Sequence, residues 1–332
     1  MKIGNGRNRP SYTDLVILGA GPAGCAAAIS ALKSGMTVVL LETQASHRSD
    51  PGETLHPGVE PIFRQLGVWD SLLEHQFHRH RGIWRESEGG QRVFQPYGSD
   101  QNGPWLGFQV DRFELGEILQ TRAAELGGKI IRVPRLDGLL ARDSIVSGVR
   151  TYASVFDAGF VLDATGRHAW LAQQLDLPAE KLEPAQRVRF GWRNDTLPEL
   201  DEQPLFRQRR GGWDWLAPLG GGRCAWVKLR RASAGGGIDY TCQVFRECAG
   251  PGYFLLGDAA CLIDPSAANG VLRALMSGIY AVHRITAVKH GMETPRQAAT
   301  EYKRWIGAIF DGSIGALAKA FNYNDPVPLA QV

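Results

Sequence analysis

The stretch that decides the fold is TDLVILGAGPAGCAAAISALKSGMTVVLLE, residues 13–42. Residues 15–18 (LVIL) form a short apolar run of the kind a strand buried on both faces shows, and Gly19-Ala20-Gly21-Pro22-Ala23-Gly24 follows at once. In this G-x-G-x-x-G, Gly19 permits the tight turn and Gly21 has no Cβ to hold the backbone off a pyrophosphate. Ala23 opens the next helix, and Gly24 lets that helix pack closely on the strands. The start of that helix offers unpaired N–H groups and a partial positive charge, which suits a pyrophosphate. Past Gly35, residues 37–41 (TVVLL) read as a second strand, and it ends on Glu42. A carboxylate there accepts hydrogen bonds from an adenosine ribose and repels a 2′-phosphate, which points to FAD or NAD rather than NADP.

At 332 residues the chain can bury a substantial core. Its net charge of +3 is small, and acids and bases are interspersed, so no nucleic-acid footprint is expected. The basic first ten residues are not followed by an apolar stretch before the first strand, and no apolar run is long enough to span a bilayer. Cys25, Cys224, Cys242, Cys248 and Cys261 are dispersed and hold no C-x-x-C pair. Reduced thiols in a cytoplasmic protein are the expectation.

Further along, Gly52-Glu53-Thr54-Leu55-His56-Pro57 leads into two short helical patterns, one through Ile62, Phe63 and Leu66 and one through Trp69, Leu72 and Leu73. Residues 75–82 (HQFHRHRG) read as a solvated basic turn; no carboxylate or cysteine spacing makes a metal site of His75, His78 and His80. Gln109-Val110-Asp111-Arg112-Phe113 opens a helix with Asp111 as its cap, and residues 129–133 then complete a second βαβ-like step. Alternation over residues 139–161 suggests hairpins ending in LDATGR, residues 162–167. Strand-like runs with glycine turns over residues 187–229 suggest an antiparallel second layer. Residues 253–258 return to the buried-strand pattern, and two long helices follow, over about residues 269–290 and 294–321.

Three separated blocks, GAGPAG with Glu42, LDATGR, and Gly257-Asp258-Ala259-Ala260 with Asp264-Pro265 and Gly270, resemble the FAD-dependent monooxygenases of the glutathione-reductase type. That group also holds the tryptophan halogenases and the geranylgeranyl reductases. The resemblance implies an α/β fold: a Rossmann-like FAD-binding domain over residues 1–85, 108–175 and 250–332, with an inserted antiparallel β-sheet substrate domain over 86–107 and 176–249. It selects FAD as the cofactor, held by Gly19, Gly21, Ala23, Gly24 and Glu42, with Asp163 and Gly166 shaping a turn beside it. Asp258, after Gly257, would accept a ribityl hydroxyl, Pro265 would lie against a flat ring, and the helix starting at Gly270-Val271 would face the flavin's pyrimidine edge. Arg112 is either a ribityl or pyrophosphate contact or an exposed arginine.

Within the group, GETLHPGVEPIFRQLGV and ANGVLRALMSGIYA look most like the flavoproteins that mature tryptophylquinone cofactors of amine dehydrogenases and amino-acid oxidases. This implies hydroxylation of a tryptophan in a partner quinoprotein subunit with O₂, by way of a flavin C4a-hydroperoxide. His80, His56 and Glu53 are the candidate proton donors. Trp213-Asp214-Trp215-Leu216-Ala217-Pro218 resembles the halogenases' W-x-W-x-I-P block; Trp213 and Trp215 either line the passage from flavin to substrate or form sheet core. The halogenases' lysine has no counterpart, since the segment reads His80-Arg81-Gly82-Ile83 and no lysine stands between Lys33 and Lys129. Without a second G-x-G-x-x-G, reduction would come from NAD(P)H docking transiently or from a separate reductase. Arg207, Arg209 and Arg210 could steer an acidic partner. The alternatives are a small-molecule flavin oxidoreductase (aromatic hydroxylase, halogenase-like or alkene reductase) and a non-catalytic FAD-binding assembly factor.

Overall fold

A computed structural model describes residues 12–43, 53–194, 200–231, 236–267 and 269–320. Five strands run parallel in the order Lys129–Val133, Val38–Thr43, Thr13–Leu18, Val155–Asp163 and Tyr253–Leu255. Leu15, Val16, Ile17 and Leu18 are wholly buried at its centre, each contributing about 2 kcal/mol through apolar burial. Parallel strands end on one edge of their sheet. That is why sequence blocks far apart in the chain, Gly19 to Gly24, Glu42, Asp163 to Gly166 and Gly257-Asp258, converge there. The amino half of Val155–Asp163 leaves this register to pair antiparallel with Ile145–Thr151, which pairs with Leu136–Arg142.

The helices Pro22–Lys33 and Gly270–Lys289 lie against each other on one face. Their crossing is set by Gly278, where a Cβ would come within 2.4 Å of the Ala23 carbonyl oxygen and 2.8 Å of the Ala27 nitrogen. Ser277 beside it accepts a 2.8 Å hydrogen bond from the Gly257 N–H, tying the helix to the turn that carries Asp258. The last helix, Pro295–Ala320, buries Tyr302, whose hydroxyl donates to the Leu255 carbonyl at 2.8 Å.

A second sheet has the order Ile238–Asp239, Gln186–Asn194, Arg223–Arg231, Gly212–Gly220, Leu205–Arg209, Gly82–Glu86, Arg92–Pro96. All its pairings are antiparallel except that of Leu205–Arg209 with Gly82–Glu86. It has its own small core of Val188, Phe206, Trp213 and Leu229. The sheet begins at Gly82, ahead of the expected boundary at 86: Gly82–Glu86 forms a local hairpin with Arg92–Pro96, but the strand that joins this hairpin to the rest of the sheet, Leu205–Arg209, lies some 120 residues later.

A third sheet of three strands departs further from the sequence reading. Gly107–Val110 pairs antiparallel with Glu53–Leu55 on one side and His78–His80 on the other. The expected solvated turn is therefore partly a strand, and His80 is buried in it. The expected second βαβ-like step is present: after the helix Arg112–Glu125 the chain returns to the main sheet, where Lys129–Val133 runs parallel beside Val38–Thr43, although the chain visits Gly107–Val110 of the small sheet on the way. Among the described residues no helix is long and apolar enough to cross a membrane.

Gly278→Val should force the two packed helices apart. We expect a loss of about 2–3 kcal/mol by overpacking, read as a lower urea midpoint with an unchanged slope.

Candidate functional site

The glycines at the carboxyl edge of the parallel sheet divide into two kinds. Gly19 sits at φ +98°, and a Cβ on it would lie 2.4 Å from the Ala164 carbonyl oxygen; a Cβ on Gly24 would lie 2.0 Å from the Gly19 oxygen. These two lock the first loop onto the LDATGR loop. Gly21 is the opposite case, with nothing within 4 Å of its Cβ position, so its backbone faces open space. The helix behind it has no side-chain cap at Gly21, leaving its first N–H groups for an anion. The helix Gly270–Lys289 repeats the arrangement: no side-chain cap at Asn269, and open space at Gly270, with Val271 buried behind it. Ala23, at the first turn, is buried with its methyl 3.3 Å from the Cβ position of Gly257. The Glu42 carboxylate accepts a short hydrogen bond from the Ala20 N–H, and Gln120 Nε2 donates to the Ala20 carbonyl at 3.2 Å. Two bare helix starts, each fronted by a glycine, with a carboxylate at the end of the second strand, form a donor set that fits FAD.

Asp163 holds the adjoining turn. It is fully buried, and its carboxylate accepts from the Thr165 N–H (2.8 Å), the Thr165 hydroxyl (2.6 Å) and the Leu171 N–H (2.7 Å). Burial pushes this carboxyl up, against the pull of those donors. Gly166 follows at φ +63°, where a glycine suits the turn.

Glu53 and Arg112, expected in separate roles, face each other across 3.3 Å. Arg112 opens a helix whose cap, Asp111, accepts from the Phe113 N–H at 2.8 Å. The Tyr240 phenol feels the charges of this pair and of Asp258. Burial raises its phenol, Asp258 and Glu53 add to the shift, and Arg112 and Arg167 oppose it. The Arg167 guanidinium lies 5.6 Å from the Tyr240 ring centre. Tyr240 and Arg167 thus join the site, though neither stood out in the sequence as a site residue.

The second sheet meets this edge through two tryptophans of the strand Gly212–Gly220. Trp213 Nε1 donates to Asp264 Oδ1 at 3.0 Å, and Trp215 Nε1 donates to the Thr54 hydroxyl at 2.9 Å. Asp264 is buried, also accepts from the Ser266 N–H at 2.9 Å, and is followed by Pro265; burial pushes its carboxyl up. Trp213 is sheet core, while Trp215 is half-buried and lies edge-on to Phe206. The same strand packs on Gly107–Val110 and His78–His80.

On the facing sheet, His80 is 1% exposed, with Nδ1 3.2 Å from the Gly82 carbonyl and Nε2 lying over Gly107. Burial drives its imidazole down to about 4, against the pull of the Gly82 and Phe108 carbonyls. His56 lies edge-on to the Tyr97 ring at 4.7 Å, and the His80 ring lies 5.4 Å from the same ring. Burial lowers the His56 imidazole too, and its Nδ1 accepts from the Gly58 N–H. Glu53, on the same strand as Thr54, turns to Arg112 and away from these histidines. Among the described residues no cluster of histidine, cysteine, aspartate and glutamate could hold a metal. Arg207 pairs with Glu86, and Arg209 shares Asp214 with Arg230, so these arginines are largely spent inside the sheet.

Gly21→Leu should fill the space before the first helix and abolish FAD retention on a desalting column while leaving the fold intact by circular dichroism. His80 gives a pH signature. Its native imidazole titrates near 4 and the unfolded one at about 6.5, so the unfolded chain takes up that proton first. The stability tied to the neutral form is complete above about pH 6.5 and is lost as pH falls toward 4, a loss of about 3 kcal/mol. Urea unfolding between those pH values should show this slope in the native chain and a flatter one in His80→Phe.

Comparison with known proteins agrees with this geometry. Residues 12–205 match the model of the FAD binding domain family. The chain is 28% identical to a tryptophan 2-halogenase of Chondromyces crocatus over 88% of its own length, and spans 64% of that relative. The structure of CmlS, a flavin-dependent halogenase, superposes with a TM-score of 0.81 at 18% identity, covering 97% of this chain and 67% of that one. That of P. aeruginosa PqsL in complex with 2-aminobenzoylacetate gives 0.77 at 14% identity, covering 91% and 94%. The chain belongs to the FAD binding domain family, within the superfamily of flavin-dependent halogenases and FAD monooxygenases.

Proposed function

We propose that the chain is an FAD-dependent monooxygenase that hydroxylates an electron-rich aromatic ring, with a tryptophan of a partner polypeptide as its acceptor. The observation that carries this reading is His80, a buried and neutral imidazole in the segment where the halogenase pattern calls for an amine. Bound and reduced FAD supplies the oxygen-activating chemistry. The bare helix start at Gly21 would hold its pyrophosphate and that at Gly270 its pyrimidine edge. Trp213 and Trp215 bind the second sheet down over the reacting edge and keep water from it. His80, whose Nδ1 proton is committed to the Gly82 carbonyl, offers a lone pair at Nε2. It therefore serves as a hydrogen-bond acceptor toward the substrate, in place of the proton donor expected from the sequence. Electrons would come from NAD(P)H through a separate reductase.

Halogenation is the second reading, supported by the similarity to the tryptophan 2-halogenase. It asks for a cation to hold the hypohalous acid, and a neutral imidazole is a weaker holder than an ammonium. A single experiment separates the readings: a tryptophan-bearing quinoprotein subunit and free tryptophan, incubated with the chain, FAD, an NAD(P)H-driven reductase, O₂ and chloride or bromide, followed by mass spectrometry. Gain of oxygen on the polypeptide alone is the expected result. A halogenated product overturns the hydroxylase reading. With no change in either acceptor, an alkene reductase or an assembly factor becomes the better account.

A further inference from the structure

Two buried polar atoms on the small sheet have no hydrogen-bond partner: His80 Nε2 and Gln109 Nε2. Their chemical identities can be fixed from their neighbours. The Trp215 indole nitrogen can only donate, so the Thr54 oxygen accepts from it at 2.9 Å and must pass its own proton on. That proton goes to Gln109 at 2.8 Å, so the atom receiving it is the amide oxygen, Oε1. The amide NH₂ of Gln109 is therefore the end left over, a donor. His80 is fixed from the other side. The Gly82 carbonyl can only accept, so Nδ1 carries the proton, and Nε2 of the neutral ring presents an acceptor.

Donor and acceptor stand on one face. Thr54 and His78 are the cross-strand partners of Gln109, and His80 is the partner of Gly107, two residues along the same strand. Gly107 makes room for the imidazole, since a Cβ there would lie 2.6 Å from His80 Nε2. The Tyr97 ring packs against both His56 and His80. Leaving a buried polar group unpaired costs about 1–3 kcal/mol, and two such groups of opposite kind side by side match one ligand group that both donates and accepts.

We propose that His80 and Gln109 form a recognition pair for a hydroxyl group on the aromatic substrate, the O–H donating to His80 Nε2 while its oxygen accepts from Gln109 Nε2. Gln109 is then a substrate-binding residue. Thr54 and Trp215 are positioning residues that aim it, and Tyr97 swings aside when substrate enters. An indole N–H would satisfy only the acceptor and an ether only the donor. The ring that fits best already bears one hydroxyl, so a prior aromatic hydroxylation, by this chain or another enzyme, must supply it. The proposal rests on the aromatic-substrate reading above and names the substrate class within it.

The test is ligand binding to the full-length, FAD-loaded chain by calorimetry, comparing phenol and 4-, 5- and 6-hydroxyindole with their O-methyl ethers and with indole. At least one hydroxyl ligand should bind about tenfold tighter than its ether. Gln109→Leu and Thr54→Val should each bring that ratio close to one with FAD affinity unchanged, a change that loss of packing alone would not produce. A ratio near one in the native chain for every pair, with the aromatics still bound, overturns the recognition pair and leaves the aromatic reading standing. So does a preference that survives Gln109→Leu. If no aromatic ligand binds while FAD is retained, the aromatic reading fails and the recognition pair with it.

Discussion

The structure depends on backbone meeting backbone at distances no side chain allows. Gly19, Gly24 and Gly278 each stand where a Cβ would come within 2.0–2.4 Å of a main-chain oxygen. Through them the first loop sits on the LDATGR loop, and the long helix Gly270–Lys289 sits on the helix Pro22–Lys33. Such contacts bring two helix starts and several strand ends into one small region. Two partial positive charges and the carboxylates of Glu42 and Asp258 thereby surround the space that the open faces of Gly21 and Gly270 border.

The second sheet is held to this frame by polar bonds as well as by packing. Its own core is small, and the two indole hydrogen bonds, Trp213 to Asp264 and Trp215 to Thr54, cross from it to two sequence blocks that flank the flavin region. Asp264 is buried with three hydrogen-bonding partners in its carboxylate and amide groups, Trp213, Ser266 and Cys242. Each donor reaching the carboxylate offsets part of the penalty that burial imposes on the charge. The sheet's outer arginines add cross-strand stability through Glu86 and Asp214, which limits what they can offer to an acidic partner.

How much of this could be read in advance follows from the range of the interactions. Residues 13–42 were legible because strand, turn, helix and strand are contiguous, so periodicity and glycine placement act on one segment. LDATGR and the Gly257-Asp258 block were legible as motifs. The three-stranded sheet was not: strands of three or four residues carry no measurable alternation, and their partners lie 27 to 57 residues away. His80 was singled out for its residue type and loop position, but its neutral state is a property of burial. Arg112 and Glu53 were both named, yet their pairing needs the fold. Gln109 stands two residues before the helix cap Asp111, and nothing in its local sequence sets it apart from the approach to a helix. Its free amide emerges from a chain of donors that begins more than a hundred residues away, at Trp215.

The charge state of His80 connects the fold to the chemistry. An ammonium at this place would demand a counter-charge, and two carboxylates on strands close by, Glu53 and Glu86, are already committed to Arg112 and to Arg92 and Arg207. A neutral imidazole needs no counter-charge. It asks only that one nitrogen be held, which the Gly82 carbonyl does, and that the ring have space, which Gly107 gives by lacking a side chain. Tyr97 and the facing Trp215 strand then keep the imidazole dry, and dryness holds it neutral. The same enclosure that would keep solvent from the flavin edge fixes the imidazole as an acceptor, so exclusion of solvent and the hydrogen-bonding role of His80 come from one set of contacts.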